Sequence, residues 1–287
     1  NAVDQNWRLL LVDADLNLAQ SKIGASNRGT AISFDIQDEA ERGRYIRQAD
    51  IVISLLPPSL HIAIARDCVR FQKNLLTASY LDDATRELEP AISKNKLLFL
   101  YEMGLDPGID HMSAMQLIDG IRKKGGNIFS FVSHCGGLVA PESDDNPWHY
   151  KISWNPRNII LAGKAGAHYR ENGAEKKVGY ESLFTNERLV DIPDLGTLGW
   201  YANRDSLSYT RLYQLEDAAT FLRTTLRHSD FLYGWRNIIE LKLTDETPQY
   251  DTNGKTLQQV FKEHMDRHGF SEWLNQELAA RFGETQG

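Results

Sequence analysis

Five short apolar runs, separated by stretches of helical spacing, constrain this chain most. They are Arg8–Asp13 (RLLLVD), Ala31–Ile36 (AISFDI), Asp50–Leu56 (DIVISLL), Asn74–Tyr80 (NLLTASY) and Lys96–Tyr101 (KLLFLY). Between them Leu16–Ile23, Glu39–Arg47 and Leu60–Phe71 carry helical periodicity, the last through Ile62, Ile64, Ala65 and Val69. Runs this apolar suit strands buried on both faces, and strand–helix alternation with short turns calls for parallel pairing. The expected fold is α/β, with a Rossmann-like doubly wound parallel sheet.

The last run leads into GLDPGIDHMSAM, Gly104–Met115. An apolar run, a turn of Gly, Asp and Pro, then an amphipathic helix describes the carboxyl end of a parallel strand feeding its crossover helix. In open α/β sheets that edge binds ligands, because strand ends and helix N-termini face one crevice. Asp106 stands at its lip. Asp13, Asp35-Ile36, Leu55-Leu56-Pro57 and Thr77–Tyr80 fall on the same side of their strands.

Past about Ile121 the rhythm changes. Asn127–Ser133 is strand-like, and the residues after it are rich in Gly, Pro, Asn and Trp without βα alternation. A second α+β domain with a mixed sheet is expected there, ending in a charged helical stretch, Thr256–Phe282. The expected domains are 1–120 for a dinucleotide and 121–287 for substrate and dimerisation, with no repeat or flexible linker. At 287 residues the chain is long enough for both.

A net charge of -7 and a pI of about 5.6 argue against nucleic acid or an anionic membrane surface as partner. No apolar segment reaches the roughly 20 residues that span a bilayer. Only Cys68 and Cys135 are present, so no disulfide framework is expected and a reducing compartment suits the chain. Asp4, Arg8, Asp13 and Asp15 near the start do not read as a secretory signal. A cytoplasmic location is expected.

A dinucleotide fingerprint consists of a strand, a G-x-G-x-x-G turn, a helix, and a second strand ending in acid about 20 residues later. No G-x-G-x-x-G occurs here. Arg8–Asp13 has the character of that second strand, with Asp13 in the ribose-binding place. The first strand and its glycine loop are therefore expected upstream of Asn1, with Asn1–Trp7 the tail of the helix between. The alternative is that Asp13 ends a surface turn.

The runs VISLLPPSLH, LLTASYLDD, MGLDPGIDHM and SHCGGLVAPESDDNPWHYKISW, then YANRDSLSY and FLRTTLRH, stand in this order between about Arg8 and His228. Together they resemble the saccharopine dehydrogenase (glutamate-forming) family, also called saccharopine reductase. The resemblance implies interconversion of saccharopine with glutamate and 2-aminoadipate 6-semialdehyde by hydride transfer to or from NAD or NADP, in lysine metabolism. It implies cofactor contacts at Asp35, Ile36, Leu56, Ala78, Ser79, Leu105, Asp106 and Pro107, and at Ser153 in the KISW segment. It implies saccharopine contacts at Ser79, Tyr80, Asp106, Arg204, Thr225, Leu226 and Arg227. It also implies that the chain lacks part of the family's carboxyl-terminal region.

Saccharopine carries three carboxylates and a secondary amine. Arg204 and Arg227 offer planar forks for carboxylates, though without the flanking motifs they read as solvated arginines. Asp106 suits the substrate ammonium or its proton, Tyr80 a carboxylate; otherwise Asp106 reads as the N-cap of a helix starting near Gly108. Biosynthetic family members carry Cys-Arg-Thr after the second strand, where Arg binds the 2′-phosphate of NADP. This chain has Asp13-Ala14-Asp15. A carboxylate accepts from a free ribose diol and repels a phosphate, which favours NAD.

The remaining polar groups carry less. Cys135 beside Gly136-Gly137 reads as packing at a tight turn. His111, His134 and His149 lack ligand spacing on a common element, and Glu142–Asp145 reads as a solvated loop, so no metal is expected. Partners are a small-molecule substrate and, as a possible assembly, a homodimer. Two other functions remain open: a carboxynorspermidine dehydrogenase-like reductase, disfavoured by the paired arginines, and a non-catalytic scaffold. A glycine-rich turn upstream of Asn1 in the parent gene separates enzyme from scaffold.

Overall fold

The computed structural model describes residues 6–153, 156–185, 188–247 and 250–282, with 277–282 by their backbone alone. The chain forms two compact units, Asn1–Ser113 and Ala114–Gly287. Their boundary falls inside the helix that follows GLDPG.

The first unit holds β1 (Leu9–Asp13), α1 (Leu16–Ile23), β2 (Gly29–Ser33), α2 (Glu39–Gln48), β3 (Ile51–Ser54) and α3 (Pro58–Arg70). It continues with β4 (Asn74–Thr77), α4 (Asp83–Arg86), α5 (Glu89–Lys94), β5 (Phe99–Leu100) and the start of α6 (Ile109–Lys123). All its pairings are parallel: β1 with β2, and β3-β4-β5. The strands form two sheets, β1-β2 and β3-β4-β5, with the parallel pairing of a Rossmann-like domain. Leu9, Leu10, Ile51 and Ile53 are exposed on β1 and β3. Asn1–Gln5 lie outside the described residues, and Asn6-Trp7 are not helical.

Local chemistry explains the helix starts. Asp15 accepts from the N–H groups of Asn17 (2.8 Å) and Leu18 (3.2 Å) at the head of α1. Asp38 does the same for Ala40 and Glu41 on α2, and Pro58 opens α3. Helices α4 and α5 were not foreseen, because four and six residues are too short to show a period. Ile64, Ala65, Cys68, Leu75 and Tyr101 form the core. Beside it, a buried Arg42–Asp67 ion pair (2.6 Å) is completed by an Arg42 bond to the Ile36 carbonyl (2.8 Å).

The second unit takes the rest of α6, then β6 (Ser130–Cys135), α7 (Pro156–Leu161), β7 (Ala167–Glu171), β8 (Ala174–Val178), α8 (Tyr180–Leu183) and β9 (Arg188–Ile192). Then come β10 (Gly196–Ala202), β11 (Arg204–Asp205), α9 (Thr210–Tyr213), β12 (Thr220–Arg227), α10 (Ser229–Glu240), α11 (Leu257–Arg267) and α12 (Phe270–Phe282). Its sheet is mixed, as expected. The order is β11-β7-β12-β10-β9, with β6 parallel on β12 and β8 on β7. β12 is the organising strand; Phe221 and Leu222 are almost wholly buried in it. A capping box of Thr256 and Gln259 starts α11. Among the described residues no helix is long and apolar enough to cross a membrane.

Candidate active site

In the first unit the strand ends expected to meet a cofactor are tied together by backbone bonds. Behind β4, the Ser79 carbonyl accepts from the N–H of Glu102 (3.0 Å), and the Thr77 carbonyl from that of Met103 (3.1 Å). The Gly104 N–H donates to the Pro107 carbonyl (2.8 Å), and Ile109 closes back on the Gly104 carbonyl (2.9 Å). Gly108 has φ +147°, and a Cβ there would stand 2.2 Å from the Gly104 oxygen. No other residue fits that turn. Gly108→Ala is expected to cost about 3 kcal/mol or more of stability, read as a lowered urea midpoint; an unchanged midpoint would contradict the turn as described.

This turn places Asp106 against Tyr80, whose hydroxyl donates to Asp106 Oδ1 at 3.0 Å. Asp106 is half-buried and Leu105 exposed, while Pro107 is buried. α6 starts at Ile109, and it is the Asp110 carboxylate that accepts from the Gly108 N–H (2.7 Å). Nearby, His111 pairs with Glu102 (3.0 Å), an arrangement the sequence did not signal.

Ser79 is held by a histidine that sequence reasoning passed over. His61, on α3 and 2% exposed, meets Ser54 Oγ at 2.8 Å through Nδ1 and Ser79 Oγ at 2.7 Å through Nε2. A neutral imidazole donates from one nitrogen and accepts at the other, so it satisfies both serines at once. Burial pushes the His61 pKa down, against an opposing pull from Asp82. His134, hydrogen-bonded to Thr224 Oγ1 (2.6 Å), is also shifted down by burial. Both rings stay neutral in the folded state where the unfolded chain protonates. Their contribution to stability is thus present above the ordinary imidazole pKa of about 6.5 and lost as pH falls through the folded values. The urea midpoint should drop from pH 7.5 to 5.5, and less so in His61→Gln; equal drops would count against it.

Asp13 ends β1, half-buried, with its Oδ1 accepting from the Asp15 N–H at 2.9 Å. Asp15 is spent on α1, so the second acid of the Asp-Ala-Asp run is a cap as well as a charge. Asp35 is exposed beyond β2, which ends at Ser33 rather than at Ile36. Ile36 and Leu56 pack on the core, which leaves their backbone as the part able to meet a ligand. The acid at the end of β1, the exposed apolar side chains of Leu55 and Leu105, and the hydroxyls of Ser79 and Tyr80 are groups of the kinds that a dinucleotide's ribose and rings take.

In the second unit, Arg227 ends β12 over the rings of Tyr150 (5.0 Å) and Phe231 (5.4 Å). One guanidinium nitrogen donates to the Leu226 carbonyl (2.8 Å), while its Nε is buried without a hydrogen-bond partner. Arg227 lines a cavity of about 130 Å³ with Tyr150, Ser153, Asn158 and Phe231. That is room for a few waters, and more than a carboxylate group needs. Ser153 therefore sits in the arginine cavity. Leu226 is buried, and a Cβ on Gly136 would lie 2.5 Å from its carbonyl oxygen.

Arg204 lies elsewhere. It is exposed on β11 and borders a separate cavity of about 320 Å³ with Lys164, His168 and Lys177. The two arginines do not share a pocket. Tyr201, buried between β9 and β12, carries a hydroxyl bonded to Thr225 and feels both arginine charges; burial nonetheless pushes its pKa up. Tyr150 and Tyr201 escaped the sequence reading, which had no signal to separate them from core aromatics.

The sequence matches the family model of the saccharopine dehydrogenase NADP binding domain over residues 2–100. It matches that of the saccharopine dehydrogenase C-terminal domain over residues 104–285. This chain belongs to the saccharopine dehydrogenase family. Within that family, the NADP(+), L-glutamate-forming saccharopine dehydrogenase of Saccharomyces cerevisiae is 39% identical over 75% of this chain and 48% of its own length. The alpha-aminoadipic semialdehyde synthase of Arabidopsis thaliana is 39% identical over 79% of this chain and 22% of its own. The fold is shared with apo saccharopine dehydrogenase (L-Glu forming) from Saccharomyces cerevisiae, with a TM-score of 0.76 and 34% identity over 86% of this chain and 56% of that one. The chain spans about a fifth to a half of the length of these curated relatives.

Proposed function

We propose that the protein oxidises saccharopine to glutamate and 2-aminoadipate 6-semialdehyde, or runs the reverse, with a nicotinamide cofactor at the strand ends of the first unit. The observation that carries this reading is Arg227 at the end of β12, lining a cavity with room for a carboxylate. A guanidinium–carboxylate pair is charge-assisted and often bidentate, which suits a substrate with carboxylates.

A nicotinamide held there would supply the hydride acceptor for the carbon beside the secondary amine. The chain's own groups do the rest. Asp106, with Tyr80 on its Oδ1, takes the amine proton as the C=N bond forms. Water then adds to that carbon and the C–N bond breaks, which releases glutamate and the aldehyde. His61 fixes the Ser79 hydroxyl for cofactor or substrate. Arg227 and Ser153 hold one carboxylate; Arg204, in its separate cavity, is assigned a second one, and Thr225 and Leu226 carry the strand that presents Arg227.

The domains of this enzyme are taken as 1–120 for cofactor and 121–287 for substrate. A reducing, cytoplasmic setting and a homodimer belong to the same proposal. The test is incubation of the intact protein with saccharopine and each oxidised cofactor, followed at about 340 nm, where reduced nicotinamide absorbs. A saccharopine-dependent rise is expected; a flat trace from folded protein with both cofactors would overturn it.

A further inference from the structure

No two of His111, His134 and His149 share an element at ligand spacing, yet the fold assembles a histidine pair from two segments. Asp144 follows the turn Pro141–Ser143, His149 lies five residues on, and His228 immediately precedes α10. One ligand atom from each of Asp144, His149 and His228 lies within 4.8 Å of the others. His149 Nδ1 is 2.6 Å from Asp144 Oδ2, and its Nε2 is 3.6 Å from Asp230 Oδ2. The rings of His149 and His228 are 4.7 Å apart. Asp144 stands half-buried between the exposed Ser143 and Asp145, and its Oδ1 is buried and accepts no hydrogen bond. A buried carboxylate oxygen without a donor is costly, and His149 satisfies only the other oxygen.

We propose that Asp144, His149 and His228 bind one divalent transition-metal ion of the zinc class, with water as fourth ligand. Two imidazoles and a carboxylate suit Zn²⁺ or Co²⁺, whereas Mg²⁺ and Ca²⁺ prefer all-oxygen shells. Tetrahedral ligands at 2.0–2.1 Å from zinc stand about 3.3 Å from one another. Atoms already within 4.8 Å reach that spacing by small side-chain rotations. The support is firm. The Trp148 and Tyr150 rings pack on Phe231 of α10 at 6.2 and 5.0 Å, and a Cβ on Gly234 would strike Trp148 at 2.4 Å. The ion fastens the segment before Tyr150 to the residue after Arg227, on two sides of the arginine cavity.

Another histidine pair shows why proximity alone is insufficient. His264 and His268 have rings 4.6 Å apart, but both His264 nitrogens are engaged, by Tyr250 Oη (2.8 Å) and the Leu241 carbonyl (2.7 Å).

The experiment is titration of tag-free, chelator-stripped full chain with Co²⁺, read by visible absorption, then displacement by Zn²⁺. One saturable equivalent with the spectrum of a four-coordinate site, lost on adding Zn²⁺, is expected. Removing a group that merely supports a metal ligand costs about 10–100-fold in affinity, so His149→Ala and His228→Ala should each lose at least about 100-fold. Asp144→Asn should weaken binding at least tenfold by the same reasoning, and His268→Ala should leave it unchanged. Absence of saturable binding by the unsubstituted chain would overturn the site without reference to any variant's folding. So would binding that survives the combined His149→Ala and His228→Ala change, or that is lost in His268→Ala. None of these readouts uses saccharopine, so failure here is distinct from failure of the proposed reaction.

Discussion

Arg227→Ala in the intact protein is expected to lower kcat/KM for saccharopine by about two to three orders of magnitude. Truncating one partner of a buried, hydrogen-bonded charge pair costs about 2–5 kcal/mol, and Arg227 lines a cavity that admits a carboxylate. The alanine also removes packing on Tyr150 and Phe231, so Arg227→Lys is the cleaner companion. It keeps the charge and loses the planar fork, for an expected tenfold or larger loss, about 1–3 kcal/mol. Cofactor affinity should barely change in either. Unaltered saccharopine kinetics in the lysine variant would reduce Arg227 to a residue that bonds its own strand at Leu226.

Cofactor choice carries the second large effect. The family model and the yeast relative are both described by NADP, yet β1 of this chain ends in Asp13. One Asp13 oxygen is committed to the Asp15 N–H; the other remains for a ribose hydroxyl, a charge-assisted hydrogen bond. A 2′-phosphate would meet that carboxylate, with Ala14 rather than an arginine beside it. Like charges set against one another cost several kcal/mol, so NAD should be preferred by roughly two to three orders of magnitude in kcat/KM. Asp13→Ala combined with Ala14→Arg should move the preference toward NADP. Equal use of both cofactors by the unaltered protein, or no shift in the double variant, would remove Asp13 from the ribose site.

The first unit was legible because parallel strands buried on both faces leave unbroken apolar runs, and turn residues bound them. Its edges were less so: Lys96–Tyr101 shrinks to the two residues Phe99–Leu100, since local pattern does not say where ladder bonds stop. The second unit was legible only as a change of rhythm. β12 pairs β6 from Thr220↔Ser130 to Thr225↔Cys135, a contact between distant segments that no window of sequence contains.

The site divides in the same way. The meeting of Tyr80 with Asp106 follows from motifs that each announce a strand end. His61 was hidden, because one histidine on an amphipathic helix looks like any half-buried polar residue until its two serines are seen. Arg204 and Arg227 were pointed to by the family resemblance, since type alone makes them solvated arginines; the fold sets them at two separate cavities. His149 and His228 escaped because a spacing argument tests single elements, and these two belong to different ones.

The central claim is tested most directly by the products. Saccharopine's secondary amine has an oxidisable carbon on each side. Hydride loss from one side yields glutamate and 2-aminoadipate 6-semialdehyde; loss from the other yields 2-oxoglutarate and lysine. Quantifying all four by mass spectrometry, alongside reduced cofactor, is the decisive measurement. The structure and its family predict glutamate and the semialdehyde, each in a one-to-one ratio with reduced cofactor. Lysine with 2-oxoglutarate, or no product from folded protein, would contradict it.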